Sequence, residues 1–89
     1  MRARRTDENL LDIVLAAKAC GLRVFIRNDE LGDMDVQYGT ISEVWECKTA
    51  TGKLTPGQKN LRAMGWHIPI VRTPAEAVAA AKALRARAR

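Results

Sequence analysis

The run Ile41-Ser42-Glu43-Val44-Trp45-Glu46-Cys47-Lys48 has the alternation of a half-buried strand. Ile41, Trp45 and Cys47 fall on one side, and Ser42, Val44, Glu46 and Lys48 on the other. Upstream, Met34 to Tyr38 and Arg23 to Arg27 read as two further strands, separated by turn chemistry from Asn28 to Gly32. A helix is predicted before them. It opens at Thr6, carries Asp7 and Glu8 in its first turn, repeats Leu10, Leu11, Val14 and Leu15 at helical spacing, and stops at Gly21.

Downstream, two helix starts share one design. Thr55-Pro56-Gly57-Gln58 and Thr73-Pro74-Ala75-Glu76 each offer a Thr N-cap, Pro at the first helical position and Gln or Glu at the third. Gly65 ends the first of these helices, and His67 to Val71 reads as a strand that Pro69 confines to a sheet edge. The last helix runs from Pro74 to about Leu84. The predicted order is α-β-β-β-α-β-α, a small mixed α/β sheet flanked by helices.

The 89 residues form one domain, 1–89, with basic and flexible ends at 1–5 and 85–89. A net charge of +5 favours an anionic partner. With Phe25, Tyr38, Trp45 and Trp66 as the only aromatics, a module that binds single strands by stacking bases on rings is disfavoured. Cys20 and Cys47 are too few for a disulfide framework or a cysteine-rich zinc site. The basic start and apolar Leu10 to Ala17 resemble a leader superficially, but Asp7, Glu8, Asp12 and Lys18 interrupt that pattern. No stretch reaches a membrane span, so a cytoplasmic protein with reduced thiols and no membrane partner is expected.

The chemistry lies in the carboxylates. Asp29, Glu30, Asp33 and Asp35 cluster ahead of the central strand, and Glu46 sits two residues before Lys48 on one strand face. If Asp35 lies on an adjacent strand, it converges with Glu46. Two such oxygen ligands can hold Mg²⁺, with water and a phosphate completing the octahedron. Lys48 would then polarise an attacking water and neutralise a pentavalent phosphate. The plain alternative is a solvated Glu–Lys pair worth under about 1 kcal/mol. Gln58 likewise has a structural reading, as the side-chain half of a capping box. His67 reads as structural and Cys47 as a small buried residue.

Gly32-Asp33-Met34-Asp35-Val36, then Glu46-Cys47-Lys48, then Gly52-Lys53-Leu54-Thr55-Pro56-Gly57-Gln58 resembles the VRR-NUC branch of the PD-(D/E)xK nucleases. Gly65, a hydrophobic strand and Arg72-Thr73-Pro74-Ala75-Glu76-Ala77 extend the match, which covers Thr6 to Leu84. The resemblance implies a restriction-endonuclease-like core. It also implies Asp35, Glu46 and the backbone carbonyl of Cys47 as ligands to Mg²⁺ or Mn²⁺, Lys48 as the catalytic lysine and Gln58 as a supporting residue. Glu8 matches the family's helical glutamate, with Asp7 as competitor. Met34 stands where the family has proline, and Asp33, of the same strand parity as Asp35, stays open as a ligand.

The function implied is metal-dependent hydrolysis of DNA by a homodimer, structure-specific on branched substrates such as Holliday junctions. Lys53, Lys59 and Arg62 are candidate phosphate contacts. Dimerisation is also expected from the small core and from apolar Leu10, Leu11, Ile13, Val14 and Leu15 spread around the first helix. Two other readings remain open: a non-catalytic nucleic-acid-binding module that keeps the fold, and a restriction-type or RNA-directed nuclease.

Overall fold

The computed structural model describes residues 8–27 and 29–88, with the side chain of Glu8 left out. The expected opening at Thr6, with Asp7 beside it, lies outside the described residues. The elements run α1 (Glu8–Ala19), β1 (Arg23–Ile26), β2 (Met34–Tyr38), β3 (Ile41–Cys47), α2 (Pro56–Ala63), β4 (Ile70–Val71) and α3 (Pro74–Arg87). The four strands form an open mixed sheet in the order β1-β2-β3-β4. The first three are antiparallel and β4 joins β3 in parallel.

The β2–β3 hairpin closes through Gly39 and Thr40, with φ +64° at Gly39, where a two-residue turn places glycine first. That turn sets Tyr38 opposite Ile41 and, counting back, Met34 opposite Trp45. Met34, Val36, Trp45 and Cys47 therefore share a face and are buried with Ile13 and Ala17 of α1 and Ala77, Ala81 and Leu84 of α3. Trp45 is fully buried, and removing roughly 200 Å² of ring surface from water contributes about 5 kcal/mol before entropy is counted. The opposite face carries Arg23, Phe25, Asp35, Gln37, Ser42, Val44 and Glu46.

Several boundaries differ from expectation. The strand expected over His67 to Val71 shrinks to Ile70–Val71, at the sheet edge that Pro69 implied. Arg85, Ala86 and Arg87 are helical rather than a loose tail, because the alanine-rich run carries α3 on to Arg87. The two helix starts are also less alike than their sequences. Thr55 and Gln58 form a reciprocal capping box, whereas Glu76 passes over Thr73 and accepts from the backbone N–H of Arg72 at 2.7 Å. On α1, Ile13 is buried and Leu10 and Val14 pack on the core, which leaves Leu11 and Leu15 exposed.

Candidate active site

At the end of β3 the chain must bring acidic side chains together without burying them unpaired. Gly32 makes this possible. A Cβ there would collide with the Val44 side chain and come within 3.0 Å of the Trp45 carbonyl oxygen, so only glycine lets the preceding turn lie on β3. The next residue, Asp33, donates its backbone N–H to the Trp45 carbonyl at 2.9 Å. Its Oδ2 accepts from the Cys47 N–H at 2.7 Å. The Asp33 carboxylate thus takes a ladder position beyond the last β2–β3 pair, beside Glu46.

Glu46 is only 4% exposed. Burial, the neighbouring Asp33 charge and a hydrogen bond shared with Asp33 push its carboxyl up to about 7, against the downward pull of Lys48. Lys48 Nζ stands 3.5 Å from Glu46 Oε2, and both side chains are largely buried. A solvated surface pair does not describe them.

The register places Asp35 one pair short of the strand end. Asp35 pairs across the sheet with Val44, not with the strand end, and its Oδ2 accepts from Arg27 Nη1 at 2.8 Å. Asp33 and Glu46 are the carboxylates that converge. Gln58 is engaged in its helix cap, where Oε1 accepts from the Thr55 N–H at 2.9 Å. Arg62 donates to the carbonyls of Gln58 and Ile68 and is half-buried, which removes it from the exposed cations. Lys53 and Lys59 are exposed. The side chain of Glu8 and all of Asp7 lie outside the described residues.

Two residues not anticipated brace the site. Asn9 Nδ2 donates to the carbonyls of Lys48 at 2.8 Å and Arg72 at 2.9 Å, tying α1 to both strand ends. Its Oδ1 is buried without a partner among the described residues. Arg72 Nη1 donates to the carbonyls of Thr49 and Gly52 at 2.6 and 2.8 Å, shaping the loop after Lys48. An asparagine near a helix start reads locally as a capping residue, so nothing in the sequence marks its reach across 39 and 63 residues.

Among the described residues, no group of three or more His, Cys, Asp and Glu side chains could hold a metal ion. Two carboxylates do meet. The Cys47 N–H at the same strand end meets Asp33. Hard oxygens few in number suit an ion that keeps several waters, and Mg²⁺ is such an ion. Compared with family models, with curated proteins and with solved structures, the chain matches none.

Proposed function

We propose that the chain is a divalent-metal-dependent DNA endonuclease of the VRR-NUC type, with a restriction-endonuclease-like core. The observation that carries this reading is the juxtaposition of the Asp33 carboxylate, buried Glu46 and the Lys48 ammonium at one strand end. Two adjoining carboxylates repel unless a proton or cation lies between them. Asp33, Glu46 and the Cys47 carbonyl would hold Mg²⁺ or Mn²⁺, which when bound supplies Lewis-acid stabilisation of phosphate charge. Lys48 holds a water against the phosphate and stabilises the negative charge that grows on the phosphoryl oxygens.

Support for DNA comes from the net charge and from exposed Lys53 and Lys59 on either side of the α2 start. Support for a homodimer acting on branched DNA comes from α1. Leu11 and Leu15, one turn apart, are 63% and 55% exposed, and a second copy covering them would set two sites on two strands.

The test is a panel of labelled linear, nicked, flapped and four-way DNA with Mg²⁺, Mn²⁺ or EDTA. Metal-dependent cleavage favouring the four-way junction is expected, lost in Asp33→Asn and largely kept in Asp35→Asn. No cleavage of any substrate with either metal overturns the nuclease and leaves a binding module. Light scattering checks the dimer, and a mass near 9.8 kDa ends that part.

A further inference from the structure

Phe25 is out of place on physical grounds. It is 71% exposed, the largest exposure of any large apolar side chain among the described residues. It also stands on the sheet face that α1 and α3 leave open. The antiparallel registers define rows across this face: Arg23 with Gln37 and Ser42, then Phe25 with Asp35 and Val44. Arg23, Val24, Phe25, Asp35, Gln37 and Ser42 line an open depression of about 360 Å³ on this face. Glu46, two residues beyond Val44 on the same face of β3, lies roughly 7 Å further along the strand with Asp33 beside it.

We propose that this pocket takes one unpaired nucleobase of the DNA, with Phe25 as its stacking surface. The inference rests on the nuclease reading and extends it to the form of the substrate. The ring supplies a π-face that accepts any base. Gln37 and Ser42 supply an amide and a hydroxyl, each able to donate and to accept at a base edge. Exposed Arg23 provides a cation for the flanking phosphate. Asp35 would repel the strand if left alone; Arg27 Nη1 at 2.8 Å offsets part of its charge, the guanidinium being shared with Asp29 at 2.7 Å. One ring serves one base, which agrees with a chain too poor in aromatics for a long stacking platform. A base inside a duplex cannot reach the ring, so the pocket selects DNA with an unpaired nucleotide beside the scissile phosphate, as at a junction or flap.

Binding is read without cleavage, in EDTA, using DNA with 2-aminopurine at one unpaired position and a fully paired duplex as control. Quenching of the probe is expected on binding to the wild-type protein. Phe25→Ala should weaken binding to the unpaired DNA about five- to 150-fold, and Phe25→Trp should restore it. Duplex binding should be unchanged in both variants. Wild-type affinity and quenching in Phe25→Ala overturn the proposal. So does a Phe25→Ala protein that falls from dimer to monomer in light scattering with its DNA affinity intact, since Phe25 then faces a second copy. Base stacking without any metal-dependent cleavage would refute the nuclease reading alone. Cleavage with normal unpaired-DNA binding by Phe25→Ala would refute this pocket alone.

Discussion

Glu43 and Glu46 lie three residues apart on β3, on opposite faces of the sheet, and both are almost fully buried. Their surroundings differ completely. Glu43 has a donor at each oxygen: Trp45 Nε1 reaches Oε1 at 2.8 Å and Arg87 Nη2 reaches Oε2 at 2.7 Å, with His67 Nε2 3.4 Å from Oε2. Glu46 faces another carboxylate and one ammonium. Glu43 is a structural clamp tying α3 and the approach to β4 onto the core side of β3. Glu46 is held in a form the fold alone does not favour when ionised. An acidic side chain that is buried but fully donated to belongs to the architecture; one buried against its own kind needs a cation or a proton from elsewhere.

The sharpest way to break this contrast is Lys48→Ala. Cleavage, measured where the variant is folded, should fall at least about 100-fold, the usual scale for removing one transition-state stabiliser. Wild-type turnover by the purified variant would return Glu46 and Lys48 to a structural pair.

The second effect is pH-dependent stability. Glu46 titrates near 7 when folded and near its ordinary 4.5 when unfolded. Between these values the folded chain holds more protons, so stability falls as pH rises through that window. Its contribution is complete below 4.5 and lost above 7. Melts in EDTA from pH 4 to 8 should show this decline, and Glu46→Gln should flatten it. An identical slope in the variant would place the titration elsewhere.

Glu43→Ala should destabilise by about 1–3 kcal/mol, because the buried Trp45 indole N–H loses its acceptor. Denaturant melts measure this, and at temperatures where the variant is folded its cleavage should match wild type. A rate loss without a stability loss would move Glu43 into the site. The smallest effect belongs to Gln58→Ala, where loss of half a capping box costs about 0.5 kcal/mol. A tenfold drop in cleavage there, with melting unchanged, would give Gln58 the supporting role its motif implies.

Much of the architecture is legible along the chain. Alternation from Ile41 to Cys47 reports the strand and the core side of Trp45, and Thr-Pro pairs report both later helix starts. Parity alone placed Asp33 and Asp35 on one face, yet could not choose between them for Glu46. The choice lay in the strand end: two turn residues at Gly39 and Thr40 fix Tyr38 opposite Ile41 and Met34 opposite Trp45. Beyond that last pair, Asp33 is held beside Glu46 by its N–H on the Trp45 carbonyl and its Oδ2 on the Cys47 N–H. Arg62 looked like a free cation, because its burial depends on carbonyls at Gln58 and Ile68 that its own helix does not reveal.

From the sequence by itself came the mixed α/β character, the buried side of β3 and the proximity of Glu46 to Lys48. Periodicity and capping act over a few residues, so they can be read locally. The tertiary structure alone decided that Asp33 meets Glu46, that Arg27 bridges Asp35 and Asp29, and that Asn9 braces Lys48. It also decided that Glu43 is clamped while Glu46 is not. Strand register and desolvation bring together residues distant in the chain, and burial then gives two glutamates on one strand different chemistry.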